Sequence, residues 1–159
     1  MNDDNYTFYL ANCLSCSLSA LNLTSTNSII MTKDIWANLA VKDLKRTNQF
    51  YTALGFKPNG DQKSELLTSF FFGDNNFVIH FFVEQQLQTA LKGNLADLSK
   101  GNEIIFTLGA ANRAEVDQWE KKVKAAGGEL VSNAEEFGEG YYGFVFADPD
   151  GHKFNVFNM

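Results

Sequence analysis

The chain has 159 residues, is 45% hydrophobic and 14% aromatic, and carries fifteen Phe, enough apolar material for a sizeable core without disulfide or metal staples. Thirteen Lys and Arg against nineteen Asp and Glu give a formal net charge of −6, which repels phosphate backbones and anionic lipid and argues against nucleic acid and membrane surfaces as partners. No apolar run approaches the ~20 residues of a membrane span. The chain starts with Asp3 and Asp4 and has no basic residue before Lys33, unlike a secretory signal, so a cytoplasmic location is expected.

Residues 1–30 are rich in Ser, Asn, Thr and Leu. Leu10, Leu14, Leu18 and Leu21 fall at helical spacing, and Asn22 to Ser28 is polar, so the segment reads as an N-terminal appendage or linker ahead of a domain at 31–159. Cys13 and Cys16 have no second pair and no nearby His, and so lack the four ligands of a structural zinc.

From Ile35 the periodicity is legible. Ile35, Ala37, Leu39 and Val41 alternate with Trp36, Asn38 and Ala40, the pattern of a half-buried strand. Asp43 is placed to cap a helix whose inner stripe is Leu44, Thr47, Tyr51 and Leu54, with Gly55 as its stop. A short strand begins at Phe56 and Lys57 and breaks at Pro58. Leu66 to Phe72 and Phe77 to Val83 predict a hairpin around Gly73-Asp74-Asn75-Asn76. A connection over 84–101 includes a short helix from Gln85 to Leu91.

The order then repeats. Ile104, Phe106, Leu108 and Ala110 alternate as a strand, and Asn112 can cap a helix with stripe Val116, Trp119, Val123 and Ala126, ended by Gly127-Gly128. Short strands follow at Glu129 to Ser132, Tyr142 to Phe146 and Lys153 to Phe157, the last two joined by Asp148-Pro149-Asp150-Gly151. Val41 matches Ala110 and Asp43 matches Asn112, an offset of about 70 residues that marks an internal duplication. The two modules span 33–83 and 103–159.

Ala40-Val41-Lys42-Asp43-Leu44, Phe50-Tyr51 and Leu54-Gly55-Phe56 resemble the opening module of glyoxalase, bleomycin-resistance and extradiol-dioxygenase proteins. Ala147-Asp148-Pro149-Asp150-Gly151-His152 resembles their closing hairpin and is the most specific piece. The resemblance covers Lys33 to Met159. Asn38-Leu39 and the ending Val156-Phe157 are most similar to a branch labelled predicted lactoylglutathione lyases. It implies an α+β fold of tandem βαβββ modules, forming a curved mixed sheet with a central cleft.

In many members that cleft holds a divalent metal on four places, usually His, Gln or Glu. Carried over, the places fall on Trp36, His80, Ile105 and Asn155. Trp36 and Ile105 cannot coordinate a metal, and Asn155 offers a weak amide oxygen in place of a carboxylate. His80 is the only plausible metal ligand, so no cofactor is expected: the ligand set for a divalent metal is incomplete. The placement of His80 depends on one residue of slack in the turn, because a one-residue slip turns it to the helix side.

Strand alternation independently sends Trp36, Asn38, His80, Thr107 and Asn155 toward the cleft, and Tyr142 joins them as an aromatic ligand-binding candidate. Lys153 shares the face of Asn155, and His152 reads as a hairpin or surface residue. The expectation is a homodimer binding a small, partly hydrophobic molecule in an apolar pocket with convergent polar groups. The alternative is a metal-dependent lyase, isomerase or dioxygenase, or a metal-free variant using His80 as its base. A third reading makes residues 1–30 a recruiting segment for a partner.

Overall fold

The computed structural model describes residues 34–159, within one compact unit, Lys33–Met159. The helix and linker expected within residues 1–30 lie outside the described residues.

The first module runs β1 (Trp36–Val41), α1 (Leu44–Leu54), β2 (Lys57–Pro58), β3 (Leu67–Phe72) and β4 (Phe77–Val83). After α2 (Glu84–Leu91), the second runs β5 (Ile105–Gly109), α3 (Arg113–Ala126), β6 (Glu129–Leu130), β7 (Glu135–Glu136), β8 (Tyr142–Ala147) and β9 (Lys153–Asn158). The first sheet has the order β1-β4-β3-β2 and the second β5-β9-β8-β6, with β7 paired to β8. In each sheet the first and last strands pair in parallel and the hairpins are antiparallel. The expected α+β duplication is therefore present as two mixed sheets of one topology.

Local chemistry sets the element ends. Asp43 accepts from the backbone N–H groups of Lys45 and Arg46, satisfying two of the orphan donors of α1. Asn112 accepts from the N–H of Glu115, and the Glu115 carboxylate returns to the N–H of Ala111, so α3 starts in a reciprocal box. Gly55 and Gly127 end the two helices at φ +95° and +90°, where a Cβ would be strained.

The alternation holds with two corrections. Ile35 and Ile104 precede their strands and are exposed. Ala37, Leu39 and Val41 of β1 turn toward the helices, as do Phe106 and Leu108 of β5. The inner stripe of α1 also gains Phe50, a fully buried residue absent from the expected set. β7 was not predicted at all: Glu135-Glu136 has no apolar alternation, and it pairs only with the end of β8.

The helix-side rows of both sheets meet in one core. Tyr51 of α1 lies with its ring centroid 4.4 Å from Phe81 of β4 and 6.1 Å from Phe154 of β9. Phe50 reaches Phe146, and Phe72 stacks toward Phe154 at 6.2 Å. Each fully buried Phe contributes on the order of 1.5–3 kcal/mol by area. Because this core lies between the helix-side rows of both sheets, with Phe72 of one stacked toward Phe154 of the other, their opposite, open faces point away from one another.

Candidate functional site

Register places most of the expected site residues. In the first sheet Asn38 pairs with His80, and His80 with Ser69. These three residues form one row across β1, β4 and β3. Trp36 pairs with Val78 and Ala40 with Phe82, so the rows on either side are apolar. The parity turns His80 to the open face, since its neighbours Ile79 and Phe81 belong to the core.

His80 is half-buried, and its Nδ1 lies 3.0 Å from Ser69 Oγ. Burial lowers its pKa, because partial desolvation disfavours the charged ring. At neutral pH the imidazole is uncharged and offers its other nitrogen as one donor or one acceptor.

The second sheet repeats the row with different chemistry. Thr107 pairs with Asn155, and Asn155 with Val145. Ile105 pairs with Lys153 one step before it, and Gly109 with Phe157 one step after. Thr107 is exposed, and Asn155 and Lys153 are half-buried.

Tyr142, expected among the ligand-binding residues, lies on the opposite face of its sheet. It shares parity with Phe144 and Phe146, both core residues, and so faces the helices. Its hydroxyl donates to Asp117 of α3 at 2.8 Å, and the Arg113 guanidinium lies 5.1 Å over its ring. The hydrogen bond to Asp117 holds its proton and raises its pKa. Expected strand 142–146 begins on the helix face, and only alternation counted outward from Phe144 exposes that.

The aromatic surface of the second open face comes instead from Phe137, Tyr141 and Phe157. Phe137 and Tyr141 stack with centroids 5.9 Å apart, and Tyr141 stacks on Phe157 at 6.2 Å. The first two are 43% and 40% exposed. A turn closed by the Phe137 N–H to the Tyr141 carbonyl brings them together, with Gly138 and Gly140 at positive φ. The signal was present as Phe137-Gly138-Glu139-Gly140-Tyr141, a turn bracketed by aromatics.

The places on which relatives carry a metal do not come together within one chain. Trp36 and His80 lie on one open face, Ile105 and Asn155 on the other. Among the described residues no group of three or more His, Cys, Asp or Glu is arranged to hold a metal ion. One imidazole, one amide, an indole that can only donate and a hydrocarbon side chain do not fit the donor set of a catalytic divalent metal.

His152, read from the sequence as a hairpin or surface residue, is buried. Its Nδ1 lies 2.9 Å from Asp148 Oδ2, which also accepts from the Tyr51 hydroxyl at 2.8 Å. Asp148 Oδ1 accepts the N–H groups of Asp150, Gly151 and His152. Arg46 of α1 pairs with Asp150 at 2.6 Å. The closing hairpin of the second module is thus tied to the helix of the first.

A family model described as the Glyoxalase/Bleomycin resistance protein/Dioxygenase superfamily matches residues 35–156. The chain belongs to this superfamily. Among solved structures, the glyoxalase/bleomycin resistance chain is similar to hypothetical protein SA1046 from S. aureus, at 34% identity over 81% of this chain and 95% of that one, with a TM-score of 0.71. It is similar in fold to a glyoxalase-related enzyme from Fulvimarina pelagi, at 22% identity over 80% of this chain and 89% of that one, TM-score 0.70. A lactoylglutathione lyase from Agrobacterium tumefaciens shares the fold at 21% identity over 80% of this chain and 94% of that one, TM-score 0.57. No curated protein matches. Among the described residues of this superfamily member, no helix is long and apolar enough to cross a membrane.

Proposed function

We propose that the protein is a homodimer that binds a small, partly hydrophobic molecule without the usual divalent metal. The open face of the first module of one copy meets the open face of the second module of its partner. The molecule sits between them. One observation carries this reading: each open face presents an uncharged hydrogen-bonding row next to an exposed large apolar side chain, with Lys153 beside Ile105 as the one charge in the flanking rows. Asn38, His80 and Ser69 form one row, and Thr107 and Asn155 the other. Trp36 is 55% and Ile105 50% exposed on the flanking rows, the kind of apolar surface that marks an interaction site when contiguous. Within one chain the faces point apart, so a cleft between them requires a second copy.

In that cleft Trp36 and Tyr141 supply flat aromatic surface. Asn38, His80 and Asn155 orient the polar edge of the ligand. The neutral His80 exchanges one hydrogen bond with it without introducing charge.

The test combines assembly, binding and elemental analysis. Sedimentation should give a dimer. Calorimetric titration with 2-acetylnaphthalene, an aromatic ketone with no hydroxyl to donate, should be saturable, and Trp36→Ala should lose that binding with the melting temperature kept. A strictly monomeric protein, or undiminished binding of the ketone in Trp36→Ala, sinks the proposal. So does a stoichiometric divalent metal that is lost in His80→Ala.

A further inference from the structure

His152 belongs to a second arrangement that the open faces do not use. The residue is only 7% exposed. Ionised Asp148 can only accept hydrogen bonds, so the His152 ring donates from Nδ1. Burial by itself pushes the Asp148 carboxyl up, but the hydrogen bonds it accepts from the His152 ring and the Tyr51 hydroxyl hold it below the ordinary carboxylate value. The ring is therefore oriented from behind by a fixed anion, which takes the Nδ1 proton and leaves Nε2 of the neutral imidazole as the acceptor. Among the described residues Nε2 has no hydrogen-bond partner.

His152 lines a groove of about 840 Å³ along β1, α2 and the connection into β5. That volume is ordinary for a small-molecule site, ~300–1,000 Å³. Leu39, Leu87, Leu98, Ile104 and Phe106 give the groove an apolar wall, while its charged lining is five carboxylates, Glu84, Asp97, Glu103, Glu129 and Asp150, against Lys42 and Lys153. That excess of negative charge disfavours an anion. An apolar wall beside a buried, oriented imidazole nitrogen suits a molecule that has a hydrocarbon body and one strong, un-ionised donor. Among neutral groups a phenolic O–H donates best to an imidazole nitrogen.

We infer that this groove is a second small-molecule site, in which Nε2 of His152 accepts a hydrogen bond from the hydroxyl of an uncharged, phenol-like ligand. It borders the first open face at Asn38 and the second at Lys153, but it stands independently of the dimeric cleft.

The chain has two histidines, so the imidazole ¹⁵N resonances of the full-length protein are assigned by comparison with His80→Gln. The protein is titrated with 4-chlorophenol and, separately, with 4-chloroanisole, which has the same body and no donor. We expect a saturable shift of His152 Nε2 with the phenol and no shift of His80. The ether should bind at least about tenfold more weakly, the loss of one hydrogen bond to an oriented acceptor. Leu98 flanks the Gly151 turn, within 3.5 Å of where a Cβ on Gly151 would lie. Leu98→Trp fills the groove there and should abolish the shift while the melting temperature holds. The inference is overturned if phenol and ether bind alike, if neither binds at millimolar concentration, if only His80 responds, or if a folded Leu98→Trp protein binds undiminished.

Discussion

The Tyr51 hydroxyl donates to Asp148 Oδ2 at 2.8 Å, so the inner stripe of the first module's helix holds the turn of the second module's last hairpin. Tyr51 is fully buried, and its pKa is raised well above the ordinary phenol value by desolvation first and by the Asp148 charge next. The hydroxyl therefore stays protonated and remains a donor.

Removing the two partners has unequal consequences. Tyr51→Phe deletes one donor, and Asp148 keeps His152 and three backbone N–H groups. The expected cost is about 1.5–3 kcal/mol, that of a hydrogen bond to a charged group. Asp148→Ala strands those buried donors together and is expected to cost more, about 3–5 kcal/mol. Urea denaturation of both variants measures this. If Asp148→Ala is no worse than Tyr51→Phe, the carboxylate is not the organiser of the turn.

The duplication was legible because each module obeys local rules: Asp43 and Asn112 cap, Gly55 and Gly127 stop, and the strands alternate. What local rules do not carry is how the two modules pack. The alternation of Phe154 and Phe106 says that one face is buried, not that Tyr51 from the other module buries it. For the same reason the row containing Asn38 and His80 could be placed by register alone, whereas the direction each open face looks could not. Tyr142 failed because a strand's first residue has only one neighbour to fix its parity. His152 failed because its burial comes from Asp148 and Tyr51, a contact 97 residues distant in the chain.

Two carboxyl and imidazole shifts set the acid sensitivity. Asp148 titrates below its ordinary value in the native state, so the unfolded chain takes up the proton first as pH falls. Its stabilisation is complete above pH ~4 and is lost as pH drops through the native value. His80 is lowered by desolvation, so the unfolded chain also binds this proton first. Stability therefore rises with pH between the native His80 value and ~6.5, and His80 adds no slope above that. Melting temperature against pH should show two rises. His80→Gln should remove the upper one and Asp148→Asn the lower. A wild-type curve that is flat from pH 4 to 6.5 would contradict the His80 assignment.

Trp36 and Phe154 are both large aromatics on strands, and the structure gives them opposite roles. Trp36→Ala removes a half-exposed ring from an open face and should change monomer stability by no more than about 0.5 kcal/mol. Phe154 has no exposed surface and contacts rings from three other strands and from α1. Phe154→Ala should cost about 3–5 kcal/mol. Denaturation at protein concentrations low enough to separate the copies distinguishes these losses from any effect on assembly. Comparable losses would mean that the open face is packed within the chain.

Gly143 and Gly109 make a final contrast on the second open face. A Cβ on Gly143 would lie 2.4 Å from the Val156 carbonyl oxygen, 2.9 Å from Phe157 Cβ and 3.0 Å from the Phe137 ring. The missing side chain is what lets Phe137 seat against the sheet and stack on Tyr141. Gly143→Ala should therefore cost about 1–3 kcal/mol as overpacking and diminish the near-ultraviolet circular dichroism of the aromatic stack. At Gly109 an added Cβ meets nothing within 4 Å. Gly109→Ala should be neutral or stabilise by about 0.4–1 kcal/mol through the unfolded chain. Equal stability of the two variants, with the aromatic signal intact in both, would show that Phe137 is held by its own turn and not by the space at Gly143.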